Sequence, residues 1–423
     1  MLLALADALL HPLLVLPLIV AQLTDSWLAV GAVAAIAGGM WFVPQPLAAW
    51  VVGGRRKLAW AAGAALVRAA AIALLAYVLA QAAGAGDPNL LRSLLICYAA
   101  YVLAGGFAHV AFAGVVDRAV PHGGRPALLA IRSLLGTAAA AAAGMIVYRV
   151  FDDPGSPFPR NAELLTTGAA VALVAAACLV ALTKEPGRLG PTPAAPFGRR
   201  LRQSAAALGD PSLRRYLLMR IPLALAAALD PFYLLYAQRE FGIPLRIAGA
   251  YLVALVLARL VSTVLWRPIA ARHGPKAVLQ GAALVRILIP LVALLLPYLA
   301  ETPLYRQRVT DPATIHALFG VVFVGVGVAL GAQILANHAY LVAIAPADRR
   351  PAYVGVANAV IAVVAATPLA VGLALDRDAG FRNLFLVAVL VGFVAVVATG
   401  ALTNPAPTPR LAPGAWRLRR ARP

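Results

Sequence analysis

Twelve apolar runs, most of about 20 residues or more, follow one another between Leu3 and Leu402, and no other property of the chain narrows its folding so far. A backbone surrounded by hydrocarbon has no water to bond to, so each run must satisfy its own amides, and a single segment does that only as an α-helix. The short alternating strands of an outer-membrane barrel are not present. Spans are expected at 3–22, 28–52, 58–81, 93–116, 128–150, 163–183, 216–238, 246–267, 277–300, 314–345, 352–375 and 381–402. With 62% hydrophobic and 12% charged residues, against roughly 25% charged in soluble domains, lipid is the solvent for most of this chain.

The runs fall into two copies. Gly63-Ala64-Ala65-Leu66-Val67-Arg68 recurs letter for letter as Gly281-Ala282-Ala283-Leu284-Val285-Arg286, 218 positions later. Each copy sits just inside an apolar run that follows a short Gly-plus-basic turn, Gly53-Gly54-Arg55-Arg56-Lys57 and Arg272-His273-Gly274-Pro275-Lys276. A second pair agrees: Arg125-Pro126-Ala127 and Arg350-Pro351-Ala352 open runs at an offset of 225. Two tandem copies of one apolar unit are a signature of membrane transporters.

A formal charge of +20 invites a nucleic-acid reading, but its distribution excludes one. With both termini placed inside, the cytoplasmic segments hold well over half of the 36 Lys+Arg and only four acids, Asp117, Glu185, Asp210 and Asp348. The outer loops hold about as many acids as bases. That asymmetry is the positive-inside rule, and no basic segment carries interleaved aromatics. Cys97 and Cys178 both fall within expected spans, so neither a disulfide framework nor a metal spacing is present. The first run has no basic leader and contains Asp7, His11 and Pro12, which marks it as a retained span rather than a cleaved signal.

The expected organisation is a six-helix half over 1–183, a basic linker over 184–215, a second six-helix half over 216–402 and a cytoplasmic tail over 403–423. The linker carries Pro186, Pro191, Pro193 and Pro196 and then Arg199, Arg200 and Arg202. Its later part, Phe197 to Leu208, reads either as a basic amphipathic helix on the anionic leaflet or as a solvated segment. Small residues crowd the fourth and tenth spans, as Gly105-Gly106 and as Gly325, Gly327 and Gly331, which allows close helix approach in the bundle interior. Prolines inside spans, among them Pro17, Pro44, Pro222, Pro231 and Pro368, are expected to bend helices or free carbonyls.

Twelve spans in two halves, a long basic central loop and basic turns after spans two and eight together resemble the major facilitator superfamily, over about residues 1–402. Its loop motif, G-x-L-A-D-R-x-G-R-R, is matched at its end by Gly54, Arg55 and Arg56, with Val51 in place of the acid. In the second half Arg272, Gly274 and Lys276 match, with Ala271 in place of the acid. The resemblance implies a cytoplasmic gate at these turns. Asp117-Arg118 and Asp348-Arg349-Arg350, which end spans four and ten at equivalent places, are the candidates to replace the missing acids. The resemblance also implies that spans 1, 4, 7 and 10 line a central cavity.

Charged groups at mid-membrane cost about 2.5–3.5 kcal/mol each on insertion scales, so each asks for a reason. Asp230 lies 14 residues beyond Tyr216, about 21 Å along a helix. It reads either as a proton-coupling or substrate-binding acid or as a fixed partner of an arginine. Arg220 and Arg259 are the arginines best placed to meet it or an anionic substrate. Tyr233 belongs to the same segment. His109 and Asn337-His338 lie on spans four and ten, and Asp7 and His11 lie one turn apart on span one; each histidine is either a proton or substrate group or simply bonded to backbone. Arg68 and Arg286, duplicated on spans implied to be peripheral, are expected to be structural. Gln45, Gln333 and Asn358 are neutral donors for a cavity or for helix contacts.

No phosphate loop, zinc-protease helix or nucleophile elbow occurs, so neither ATP-driven transport nor enzymatic activity is expected, and no cofactor or metal. The expected function is secondary active transport of a small solute across a bacterial inner membrane by alternating access, proton-coupled, with efflux the favoured direction and uptake the open alternative. A lipid flippase or a non-transporting scaffold of the same fold is the alternative. The expected partners are a small-molecule substrate and the lipid bilayer, with no nucleic acid, and the chain is expected to act as a monomer. A reporter enzyme active only outside the cytoplasm, fused at the C-terminus, should give no signal; full activity there would overturn the twelve-span topology.

Overall fold

A computed structural model describes residues 1–52, 57–82, 84, 87–120, 124–184, 197–308, 311 and 313–404. Among these residues every regular element is a helix, and nine helices are long and apolar enough to cross a membrane. The remaining crossings are interrupted or merged. The first run is split into Leu2–Leu9 and Val15–Ala21, and the seventh into Pro211–Leu225 and Tyr233–Phe241. Ile247–Glu301 holds two crossings, divided at Gly274, whose φ of 78° turns the chain between 247–273 and 275–301. Counted so, the helices are consistent with twelve spans.

The interruptions follow from proline. Pro12 has no amide hydrogen to give the Ala8 carbonyl, which accepts from the His11 amide at 3.2 Å instead, and the His11 carbonyl then accepts from the amides of Leu14, Val15 and Leu16 to start the next segment. Between Pro222 and Pro231 the seventh span passes through turns from Ala226 to Phe232. The second span carries a π-helical segment at Ile36–Met40 before Pro44, and the eleventh breaks at Ala365–Ala366 before Pro368. These two kinks face each other: a methyl built on Gly38 would lie 3.0 Å from the Ala365 Cβ. The seventh span begins at Pro211, five residues before the expected position. Asp210 supplies its N-cap, accepting from the amides of Ser212 and Leu213 at 2.7 and 3.4 Å. A hydrogen bond from the Tyr353 hydroxyl, reinforced by those amides, holds the Asp210 carboxyl below its ordinary range against the opposing effect of burial. The linker contains a helix at Phe197–Ala207 that packs against Arg350–Val364.

Within the first half the third span packs on the fourth and sixth, and the first on the fifth and sixth. The halves meet along two seams, span two with span eleven and span five with span eight. Two ends of the bundle can be distinguished, the linker end and the far end, which carries the loops around residues 22–26, 152–160, 242–246 and 376–380. At the far end backbones nearly touch. A methyl on Gly31 would lie 2.2 Å from the Pro368 carbonyl oxygen, and one on Gly249 would lie 2.2 Å from that of Gly144, so only glycine fits either place.

The same end is held by one device used twice. The carboxylate of Asp376, closing span eleven, accepts from the amides of Trp27 and Leu28 at 2.7 and 3.1 Å and from the Ser26 hydroxyl at 3.0 Å. It thus caps span two from the opposite half. Asp152, closing span five, accepts from Arg246 at the start of span eight at 2.6 Å. Asp152 and Asp376 are 224 positions apart, which matches the repeat. Elsewhere among the described residues a 3.5 Å contact of Asn358 with Gln45 is the only further hydrogen bond or ion pair between the halves.

Toward the linker end the helices part. In span five Ala139, Ala140, Ala143 and Val147 are buried, whereas all the residues from Leu129 to Leu135 are exposed. A helix exposed on every face borders lipid on one side and open space on the other. The bundle is closed at the far end and open at the linker end. The Asp376 latch should contribute about 1 kcal/mol to that closure, the usual value of a helix cap, and the exposed Asp152–Arg246 pair adds less. Asp376→Ala and Asp152→Ala should each lengthen the distance between spin labels at positions 160 and 377; an unchanged distance in the double variant would show that the carboxylates do not hold the halves.

Candidate functional site

Two acid–arginine pairs occupy corresponding places in the halves. The Arg68 guanidinium and the Tyr101 hydroxyl both donate to the Asp7 carboxylate, and Arg68 lies 4.2 Å over the Tyr101 ring. In the second half Arg286 Nη1 donates to both carboxylate oxygens of Asp230, at 2.7 and 2.8 Å. Asp7 and Asp230 are 223 positions apart, Arg68 and Arg286 218. Each pair therefore ties the first helix of its half to the third. Asp230 is joined to Arg286 and not to Arg220 or Arg259, the partners expected from the sequence.

Burial separates the two pairs. The side chains of Asp230 and Arg286 are 4% and 1% exposed, so this pair is sealed in protein rather than reached by water. The Arg68 side chain is 6% exposed but that of Asp7 is 53% exposed. Asp7 lies in the short helix Leu2–Leu9, whereas Asp230 lies in the turns between Pro211–Leu225 and Tyr233–Phe241. Room for Arg68 comes from the fourth span: a methyl on Gly105 would lie 2.7 Å from the Trp41 ring and 3.4 Å from Arg68 Nε. The Tyr233 hydroxyl is buried near the sealed pair with no hydrogen-bond partner.

The second half supplies two more cations. Arg220, about 14 Å above the start of its helix at Pro211, donates to Gln333 Oε1 at 2.8 Å, leaving Gln333 Nε2 buried and unpaired. Tyr216, one turn away, donates to Asn337 Oδ1 at 3.3 Å. Arg259, about 18 Å below Ile247, has its backbone against Gly327 and Gly331 of span ten. His11 Nδ1, on span one, is buried without a hydrogen-bond partner. Neither Arg220 nor Arg259 forms an ion pair with a described acid.

Other sequence candidates lie apart from this group. His109 is exposed, its ring 5.7 Å from that of Trp41, and His338 is exposed on span ten. Among the gate residues Gly54, Arg55 and Arg56 lie outside the described residues. Asp117 and Arg118 end the helix Pro88–Ala119, and their side chains also lie outside. Gly274 makes the turn already described, Arg272 is exposed beside it, and Lys276 donates to the Leu402 carbonyl at 2.7 Å, a cation on the last helix's C-terminus. Asp348 meets only its neighbour Arg349, at 3.7 Å, and Arg350 is exposed. Where the described part of this gate can be followed, it joins no residue of the other half.

Sequence reasoning missed the joining of Asp7 to Arg68 and the roles of Asp152 and Asp376. The signal was present as arithmetic, since Asp7 and Asp230, and Asp152 and Asp376, recur at offsets of 223 and 224, between those of the two repeats already noted. An apolar recess of about 400 Å³ between the kinks, lined by Ala32, Ile36, Val43, Ala362, Val363 and Leu369 among others, holds none of the charged residues.

This arrangement has known counterparts. The model of the Major Facilitator Superfamily matches residues 224–422. A mutant of the nucleoside transporter NupG is similar in structure with a TM-score of 0.68 at 13% identity, covering 95% of this chain and 97% of that one. A bacterial homolog of the human lysosomal transporter Spinster, in an inward-facing and unoccupied conformation, gives 0.61 at 14% identity, covering 95% and 92%. A POT family transporter in complex with a thioalcohol-conjugated peptide gives 0.67 at 13%, covering 95% and 93%. Among proteins with curated functions none matches the chain in sequence. Residues 224–422 thus match the Major Facilitator Superfamily in sequence, and the whole chain shares its multi-pass helical fold with these transporters.

Proposed function

We propose that this protein is a secondary active transporter of the bacterial inner membrane, moving a small solute by alternating access with the linker end in the cytoplasm. The observation that carries the reading is the contrast between the two ends: the halves are latched by equivalent carboxylates at the far end and parted at the linker end. A machine that alternates must close one end while the other is open, and must be able to undo the closure. Hydrogen bonds to two exposed carboxylates and glycine contacts between backbones are closures that come apart without unfolding either half. The kinks at Ile36–Met40 and Ala365–Ala366 lie on the seam that remains in contact and serve as its bending points.

Positive-inside asymmetry supports the orientation, because the linker end collects the excess of Lys+Arg. Proton coupling falls to the Asp7–Arg68 pair. Its carboxylate is within reach of water, and protonating it would free Arg68 and Tyr101 to change partners. Asp230, sealed against Arg286, acts in this reading as the fixed tie of the other half. Export is the direction proposed.

Two substitutions test the assignment. Asp230→Asn should strand Arg286 and destabilise the protein by about 3–5 kcal/mol, read as a lower melting temperature. Asp7→Asn should cost less, since solvent reaches the site and Arg68 keeps its stacking on Tyr101. The far-end spin-label distance in nanodiscs should show two populations whose ratio responds to pH in the wild type and not in Asp7→Asn. A single far-end distance at every pH would remove the alternating-access reading, and an unaltered response in Asp7→Asn would remove Asp7 as the proton acceptor.

A further inference from the structure

Two deep cations of the second half have no acidic partner among the described residues. Both deep acids are committed, Asp7 to Arg68 and Asp230 to Arg286. Arg220 and Arg259 remain, on spans seven and eight, with no acidic partner among the described residues. Depth places both at one level: about 14 Å from the linker-end start of one helix and about 18 Å from the far-end start of its antiparallel neighbour bring each near the middle of a core about 30 Å thick. They are partly exposed, so they border open space rather than a packed interior. Around them lie donors and polar atoms without protein partners, Gln333 Nε2 beside Arg220 and His11 Nδ1 near Arg259.

An arginine with neither an acid nor full hydration attracts a counter-ion. Guanidinium groups present planar forks of donors that match oxyanions, and two such groups with a neutral amide beside them select against cations by repulsion. Resting on the transporter reading above, we propose that this site binds a small organic anion, its carboxylate or phosphonate head held between Arg220 and Arg259, with Gln333 and His11 completing the shell. A solute of that charge is also one that the membrane potential, negative inside, helps to expel, which agrees with export.

Thermal unfolding of the purified, full-length protein in neutral detergent tests the proposal with four probes of matched shape: benzoate, phenylphosphonate, benzamide and benzylammonium, each at constant ionic strength. Benzoate or phenylphosphonate should raise the melting temperature with concentration, as binding to the native state requires, and benzamide and benzylammonium should not. Arg259→Gln and Arg220→Gln should weaken the anion's apparent affinity about tenfold or more. Arg259→Lys should fall between, keeping charge without the fork. Without ligand the Arg259→Gln protein should melt no lower than wild type, because an unpaired cation has been removed; a marked drop would mean that the arginine holds the fold together, and would overturn the proposal. No stabilisation by either anion, or stabilisation unchanged in both glutamine variants, would overturn it as well. Phosphatidylglycerol added to the micelle separates a lipid phosphate from a free anion: arginine-dependent stabilisation by the lipid alone would overturn the small-solute assignment. Counterflow of radiolabelled benzoate in proteoliposomes then tells the two readings apart. Arginine-dependent binding without exchange leaves the anion site standing and removes transport, whereas exchange unaffected by either glutamine substitution keeps transport and removes the site.

Discussion

Hydrocarbon cannot accept or donate a hydrogen bond, and each main feature of this molecule is an answer to that fact. Amides are satisfied inside helices, and where proline removes a donor, as at Pro12, the freed carbonyl of Ala8 finds the His11 amide within the same span. Charges obey the same rule. Arg68 and Arg286 are almost wholly buried, and each is tolerated because a carboxylate from the first helix of its half is bonded to it. These pairs do more than neutralise. They fix the first helix to the third in each half, so that each half can move as a body and contacts between halves can be exchanged without loss of either fold.

That division of labour explains the different character of the contacts within and between halves. Inside a half the ties are buried and strong, as in the bidentate bond of Arg286 to Asp230. Between halves they are exposed, polar and few: Asp376 on the start of span two, Asp152 on Arg246. Surface ion pairs are worth little individually, which suits a contact that must be broken in every cycle. Glycine supplies the rest by letting backbones approach at Gly31 and Gly249 without side chains to interlock. The missing acids of the loop motif fit the same picture. At the linker end Val51 and Ala271 stand where an acid would latch the gate, and there the described residues show the helices parted.

How much of this was legible in the sequence depended on how far each feature is local. Span positions were read to within a few residues because hydropathy is a property of the segment itself. The seventh span began earlier than expected because Asp210-Pro211 is a cap-and-start signal, which outweighs the polar character of Ser212, Arg214 and Arg215. Breaks within spans one and seven were foreshadowed by their prolines. Partner choice was not legible. Depth along a single helix places Asp230 near mid-membrane but says nothing of which neighbour faces it, and Arg220 and Arg259 looked better placed than Arg286. Treating Arg68 and Arg286 as duplicated structural residues, and then asking which acids are duplicated with them, would have given both pairs from the numbering alone.

Duplication also shows where the halves have diverged, and divergence is where a specific task can be located. What recurs at the repeat offset, the acid–arginine tie and the far-end latch, serves the frame common to both halves. What does not recur is asymmetric: Asp7 is open where Asp230 is sealed, and the described cations without acids, Arg220 and Arg259, both belong to the second half. The position 218 before Arg259 is Trp41, an aromatic group beside His109 rather than a cation. One wall of the central space thus offers a carboxylate that water can reach, and the other offers positive charge without a partner.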